Sequence, residues 1–182
     1  GKTILPGFNP STRTQFERLL ATKNIQVHRE FRATSAAGGF LASADAREVQ
    51  LDEIFWITQA GAQPWPSASG LDVDASGFIN VRESLQTVSS DKVFAVGDCA
   101  SMVNHLRPKA GVYAVRQGKP LFRNVMALLL GSSPKPYKPQ SNFLSLISTG
   151  PQHAIASRNG FSLQGYWAWR WKNWIDRRFM KR

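Results

Sequence analysis

Apolar positions along this chain follow two periods, one helical and one alternating, which take turns from the first residues onward. Residues 3–5 read as a short strand. After the turn and cap signals of Asn9-Pro10-Ser11-Thr12, the side chains Phe16, Leu19 and Leu20 recur at helical spacing. Thr12 with Gln15 three residues on fits a capping box. Asn24 ends that helix, and Ile25-Gln26-Val27-His28 alternates as a strand with one wet face, so the start is expected to be a β-α-β run. Residues 31–50 are polar and small, with Gly38-Gly39 as a hairpin turn between weak antiparallel strands. Residues 53–58, Glu-Ile-Phe-Trp-Ile-Thr, are apolar enough for a buried strand, closed by the loop that carries Gly61, Pro64 and Pro66.

The second half alternates in the same way. Gly77-Phe78-Ile79-Asn80-Val81 follows a turn at residues 74–77, and Lys92-Val93-Phe94-Ala95-Val96 is stopped by Gly97-Asp98; both read as strands of one sheet. From Pro108 onward Val112, Val115, Leu121, Phe122, Val125, Met126, Leu128 and Leu129 keep a helical face, and Gly131 is a C′ stop. Pro120 is expected to kink or break that helix. Residues 132–141 form a Ser/Pro/Lys linker, followed by strands at 143–148 and 153–157 and a Trp-rich basic tail.

With 182 residues the chain suits one domain or two small ones and is long enough to bury a core. Hydrophobic residues make up 42% and charged residues 19%, and no apolar run reaches the roughly 18–20 residues of a membrane span, which points to a soluble globular chain. The net charge of +11 points to phosphate, in nucleic acid, lipid or nucleotide. The single cysteine, Cys99, excludes an intrachain disulfide and a CxxC pair, and a reducing, cytoplasmic setting is the simplest match. Gly1-Lys2-Thr3-Ile4-Leu5-Pro6 carries neither an initiator Met nor a signal-peptide pattern, so the chain reads as a fragment.

The segment with most chemical content is residues 87–98, TVSSDKVFAVGD. A strand ending in Gly97-Asp98 sets a carboxylate at the carboxyl end of a sheet strand, where α/β folds bind ligands. Such a carboxylate accepts hydrogen bonds from sugar-like hydroxyls, and the glycine lets backbone approach a ligand closely. An ordinary structural turn fits the same two residues.

The wider pattern TxxxxxVFAVGD, with the loop Ser69-Gly70-Leu71-Asp72-Val73-Asp74 and the strand at 77–81 before it, resembles the second flavin-binding motif of the pyridine nucleotide-disulfide oxidoreductase superfamily. Upstream, Phe55-Trp56-Ile57-Thr58-Gln59-Ala60-Gly61 resembles that superfamily's strand ending in Ala-Thr-Gly, with Gln59-Ala60 disturbing the pattern. Residues 107–118, RPKAGVYAVRQG, are similar to the helix that the family points at the flavin. The resemblance implies that Gly97 and Asp98 contact the ribityl chain of FAD, and that Lys109, Ala110 and Gly111 face its pyrimidine edge. A helix N-terminus suits that edge, because its free N–H groups and positive dipole end meet the negative charge a reduced flavin develops there. Lys109 would add a formal charge, or stand as a solvated loop lysine beside Pro108 at N1.

Within the superfamily the chain looks most like the type II NADH dehydrogenase branch, and like the flavoprotein module joined to selenide, water dikinase. Leu144-Ser145-Leu146-Ile147-Ser148-Thr149-Gly150, His153-Ala154-Ile155-Ala156-Ser157 and the tail from Trp169 to Met180 carry that second likeness. It implies a fused kinase domain shortly after Arg182. The expected fold is α/β: partial FAD/NAD(P)-binding domains, Rossmann-like and three-layer ββα, plus a small C-terminal α+β segment. Residues 1–75 would be the C-terminal half of an NAD(P)-binding domain, 76–131 the C-terminal part of the FAD-binding domain, and 132–182 the final strands and Trp-rich helix.

The chain also departs from the family. Neither GxGxxG unit occurs, so the FAD pyrophosphate and NAD(P)H sites would be completed by residues upstream of this chain. The AQxxxQ pattern that type II enzymes show near the quinone is missing from residues 111–116, which argues against quinone and leaves the electron acceptor unknown.

On a helix, Trp167, Trp171, Trp174, Ile175 and Phe179 fall on one side, with Arg178 breaking the stripe. Residues 170–182 hold six basic and one acidic residue. Two readings stay open for 165–182: packing against its own protein or a homodimer mate, and peripheral contact at the inner face of a membrane. His28, His105 and His153 lack the spacing of a zinc site, though His105 could approach the flavin; Cys99 reads as a small packed residue. No nucleic-acid reader motif appears. The reading that joins these features is an FAD-dependent NAD(P)H oxidoreductase, NADH dehydrogenase-like, with this fragment alone inactive. The rival is a non-catalytic binding or regulatory module docking an acidic partner or a membrane surface.

Overall fold

The computed structural model describes residues 1–58 and 60–181. In chain order the elements are α1 (Pro10–Thr22), β1 (Ala33–Ala37), β2 (Phe40–Ser43), β3 (Glu48–Gln50), α2 (Trp65–Ala68), β4 (Ile79–Val81), β5 (Gln86–Thr87) and β6 (Ser90–Phe94). A single 3-10 turn at Gly97–Cys99 leads into β7 (Ala100–Met102), α3 (Gly111–Leu129), β8 (Ser145–Gly150), β9 (His153–Arg158), β10 (Phe161–Gly165) and α4 (Tyr166–Met180). These form two compact units, one of Gly1–Trp56 with Asn142–Arg182 and one of Ile57–Ser141.

In the unit of Gly1–Trp56 with Asn142–Arg182, α1 starts one turn earlier than the capping-box reading implies. Asn9 is the N-cap, its Oδ1 accepting the Thr12 N–H at 2.9 Å, and Pro10 opens the helix. Thr12 and Gln15 serve tertiary contacts instead: Thr12 is buried with its hydroxyl 2.8 Å from Ser157 Oγ, and Gln15 Oε1 accepts from Ser162 Oγ. Asn24, at φ +54°, follows the helix end as expected. Gly38 and Gly39, at φ +59° and +81°, make the hairpin turn between β1 and β2, with Ala37 facing Phe40 and β3 completing a three-stranded antiparallel sheet. A second antiparallel sheet, ordered β10-β9-β8, buries Ala154 and Ala156 under Ala168 of α4, with Leu144, Leu146 and Trp169 packed around them.

Three expected strands are absent. Residues 3–5 form bends, and neither 25–28 nor 53–58 takes strand geometry. Phe55, Trp56 and Ile57 are 80%, 60% and 93% exposed. Their apolar pattern suits a strand, but a strand also needs neighbours for its N–H and C=O groups, and none of the described strands pairs with these segments. Gln59, part of the disturbed Ala-Thr-Gly likeness, lies outside the described residues.

The unit Ile57–Ser141 is built on a four-stranded sheet ordered β6-β5-β4-β7. The strands at 77–81 and 92–96 do enter this one sheet; β4 pairs antiparallel with β5 and parallel with β7, Ile79 facing Ala100 and Val81 facing Met102. Ile79, Val81, Leu85, Ala95, Ala100 and Met102 form its core, and Leu121 of α3 and Tyr137 pack against it. Contrary to a break, α3 continues through Pro120. It ends as Gly131 predicts, at φ +71°, with Gly131 N–H on Leu128 O and Ser132 N–H on Ala127 O, the paired bonds of a Schellman stop. The Pro-rich segment after it is tied down: fully buried Asn124 bonds both the N–H and the C=O of Lys135, and also Ser84 O.

Candidate functional site

Gly97 and Asp98 sit in the 3-10 turn that carries the chain from β6 to β7. Gly97 adopts φ +74°, a conformation that favours glycine, and its N–H donates to Oε1 of Gln117, one turn and a half into α3, at 2.7 Å. Gln117 is buried, and its amide also meets Met102 Sδ at 3.8 Å. The turn, β7 and the first turns of α3 are thereby locked around a pocket lined by Gly97, Asp98, Ser101, Lys109, Ala110 and Tyr113. Gly111, next to Ala110 in the chain, is the first residue of α3, and a Cβ added there would meet open space.

Ala110 is the N-cap of α3, and no side chain caps the helix. Its leading N–H groups therefore present a positive helix end beside Asp98, whose carboxylate is exposed and takes no hydrogen bond from the described residues. A glycine at 111 leaves those N–H groups unshielded.

Lys109 does not reach out as a free charge. Its Nζ donates to Ala100 O at 2.6 Å and lies 3.9 Å from the centroid of the Phe78 ring. Burial pushes the ammonium below the usual lysine range, and Asp74, Asp98 and Cys99 oppose that by favouring its charged form. Burial would also raise the Asp74 carboxyl. Hydrogen bonds from Ser101 and from the amides of Phe78 and Ser76, together with Lys109, outweigh it and bring Asp74 below its ordinary value.

The pocket thus combines an exposed acceptor carboxylate, an uncapped helix N-terminus and a glycine turn, which suits a ligand carrying hydroxyls at one part and developing negative charge at another. The sequence picked out Gly97, Asp98, Lys109, Ala110 and Gly111; the fold brings the first four to one pocket, and Gly111 follows Ala110 as the first residue of α3. Sequence reasoning did not single out Gln117 or Ser101, because each acts through a partner distant in sequence. His105 lines the same pocket, with Nε2 2.9 Å from Glu83 Oε1. Cys99 is exposed, where a packed residue was expected: the tight 3-10 turn leaves its thiol at the surface, 3.2 Å from Val96 O.

Elsewhere, α4 uses Ala168 and Trp169 for packing and leaves Trp167, Trp171, Trp174 and Phe179 exposed. Arg178, the interruption in that stripe, lies with its guanidinium 5.4 Å from the Trp174 ring centroid. Among the described residues, no helix is long and apolar enough to cross a membrane, and no three His, Cys, Asp or Glu residues are grouped to hold a metal ion.

Comparison with known proteins gives these features a setting. Residues 1–118 match the family model described as pyridine nucleotide-disulphide oxidoreductase. The type II NADH:quinone oxidoreductase of Haemophilus influenzae is 26% identical over 155 residues, covering 80% of this chain and 34% of that protein. Among solved structures, the sulfide:quinone oxidoreductase of Aquifex aeolicus superposes with a TM-score of 0.76 at 14% identity, over 94% of this chain and 45% of that one. An FAD-dependent pyridine nucleotide-disulphide oxidoreductase from Desulfovibrio vulgaris superposes with a TM-score of 0.66 at 19% identity, over 87% of this chain and 41% of that one. These superpositions establish the fold as α/β and Rossmann-like in part, with β8–β10 and α4 as its C-terminal α+β segment. The chain spans about a third of the length of the curated relative and less than half of either solved structure.

Proposed function

The chain belongs to the pyridine nucleotide-disulphide oxidoreductase family, and from that premise we propose that it is the later part of an FAD-dependent NAD(P)H oxidoreductase of the type II NADH dehydrogenase kind. The observation that carries this reading is the convergence of Gly97-Asp98 and the uncapped N-terminus of α3 on one pocket. Asp98 would hold the ribityl hydroxyls, and the backbone of Lys109, Ala110 and Gly111 would face the pyrimidine edge. Lys109, held by Ala100 O, orders the approach to α3 and shapes the field there. Bound FAD supplies the redox chemistry, accepting hydride from the nicotinamide. This chain's residues hold and orient it and set its electrostatic surroundings.

The FAD pyrophosphate and NAD(P)H sites are assigned to residues upstream, since no GxGxxG unit occurs in the sequence. On this reading 1–75 completes the NAD(P)-binding domain, 76–131 the FAD-binding domain, and the isolated chain is catalytically inactive. The likeness to the module joined to selenide, water dikinase is what supports a fused kinase domain in the same polypeptide on this reading. The exposed Trp stripe of α4 supports a peripheral membrane contact, with a homodimer face as the other outcome. Flotation of the intact protein with anionic vesicles tests that contact; binding that persists after removal of 165–182 ends it.

The decisive experiment on the flavin site is Asp98→Ala in the intact enzyme. The expected result is purification with reduced flavin absorbance and weaker rebinding of added FAD. Flavin content equal to that of the parent enzyme refutes the assignment.

A further inference from the structure

Gln117 is a buried residue in the second turn of α3 whose amide is engaged at both ends. Oε1 accepts the Gly97 N–H at 2.7 Å, and Nε2 meets Met102 Sδ at 3.8 Å. Gly97 opens the 3-10 turn that carries Asp98, and Met102 ends β7, which pairs with β4 in the core sheet. One side chain therefore ties both the turn and the sheet to the helix. The turn has its own closing bond, from the Ala100 N–H to Gly97 O, and Val96 before it supplies no side-chain cap. That closing bond shapes the turn without fixing where it lies against α3. The Gln117 bond does fix it, and the approach is close: a Cβ built on Gly97 would meet Ala114 Cβ at 3.5 Å.

The placement matters because the pocket offers a ligand two separate grips, the Asp98 carboxylate on the turn and the leading N–H groups of α3. A ligand that uses both is held well only where their separation is set in advance, since any freedom left between them must be lost on binding. A buried amide can also serve folding alone, and α3 contains an example. Asn124, further along the helix and fully buried, bonds Ser84 O and both backbone groups of Lys135, none of which lines the pocket. Gln117 instead bonds the residue next to Asp98.

We propose that Gln117 is a positioning residue of the flavin site: through Gly97 it sets the separation of Asp98 from the N-terminus of α3, and with it the affinity for FAD and the potential at which bound FAD is reduced. The inference rests on the assignment of this pocket to FAD. The sign for the potential follows from the helix end, whose positive dipole favours the negative charge of the reduced form. A turn that holds FAD less firmly against that end weakens binding of the reduced form more than of the oxidised one.

The test compares Gln117→Met, Gln117→Glu and Asn124→Ala with the parent, all as the intact protein, by FAD titration of the apoprotein, by the flavin midpoint potential and by the urea midpoint. Methionine is unbranched like glutamine but offers only a weak acceptor, and Gln117→Met is expected to bind FAD about tenfold more weakly. Its reduced FAD is expected to lose about a further tenfold, which is a potential about 30 mV more negative. Gln117→Glu keeps an acceptor oxygen at the same reach and should stay within about threefold of the parent in affinity. Asn124→Ala is expected to lower the urea midpoint and leave FAD affinity and potential unchanged. Parent-like affinity and potential in Gln117→Met overturn the proposal. So does a loss in Gln117→Glu or in Asn124→Ala as large as that in Gln117→Met, since the acceptor would then not be what counts. Should Gln117→Met not fold, Gln117→Glu decides: affinity within about threefold supports the proposal and a loss of about tenfold overturns it. Loss of flavin from Asp98→Ala with full affinity in Gln117→Met removes this proposal alone. Full flavin content in Asp98→Ala removes the FAD assignment, and this proposal with it.

Discussion

Gly97 shows how one residue can carry both a turn and a site. Its φ of +74° is unfavourable for a side chain, while a Cβ built there would meet Ala114 Cβ at 3.5 Å, an ordinary contact. The cost of Gly97→Ala is therefore conformational, about 1–2 kcal/mol of global stability, read as a lowered urea midpoint at unchanged slope. A variant as stable as the parent would mean that the left-handed turn relaxes freely. Residue by residue, legibility divides along this line. Gly97-Asp98 stands out in the sequence because a glycine and a carboxylate after an apolar run are unusual enough to notice. Gln117 and Asn124 do not: each is a polar residue on a helix whose partners, Gly97 in one case and Ser84 and Lys135 in the other, are brought near only by folding. A periodicity argument assigns such residues to the wet face, and both are buried.

Elements were readable where their stop signals are local. Gly38-Gly39 and Gly131 both take the positive φ their positions require, and the β1–β2 hairpin and the end of α3 fall where those glycines put them. The start of α1 was misread because two cap candidates stand three residues apart. Pro10 decides between them: the residue before proline is held extended, as an N-cap must be, and Asn9 has φ −66° and ψ 159°. β10 is absent from the sequence reading although Asn159-Gly160 is a turn signal and Phe161-Ser162-Leu163-Gln164 alternates; its two apolar residues, Phe161 and Leu163, are exposed. The connection from β2 to β3 carries a measurable charge effect. A hydrogen bond from Arg47, then one from Ser43, holds the Asp45 carboxyl down at about 2 from 3.8. With the folded value below the unfolded one, this contribution is complete above the unfolded value and is lost as pH falls through 3.8 towards 2. The parent protein should therefore lose more stability than Asp45→Asn between about pH 5 and about pH 2.5. Denaturant midpoints at the two pH values measure this, and parallel losses would show that the Arg47 pair has no effect on folding.

At the scale of the whole molecule, the three missing strands bear on what the chain belongs to. Residues 25–28 and 53–58 have strand composition, yet Ile25, Phe55, Trp56 and Ile57 stand exposed and their backbones join none of the described sheets. A hydrophobic alternation specifies which face is to be covered, while the covering strand can come from anywhere in the polypeptide. If the proposed enzyme has about 200 residues upstream carrying the two dinucleotide motifs, those residues would supply the sheet these segments pair with. Hydrogen exchange can decide the matter by comparing the 182-residue chain with the intact protein. In the 182-residue chain, amides of 26–28 and 54–58 are expected to exchange as freely as those of an open loop, while those of buried Val81 and Ile155 stay protected. In the intact protein the same amides should slow by orders of magnitude and Trp56 emission should shift to the blue as its indole is covered. Equal exchange in both would mean that the exposed apolar segments are loops in the enzyme as well, and the placement of an NAD(P)-binding sheet across residues 1–75 would fail while the pocket at Gly97 and Asp98 stood unaffected.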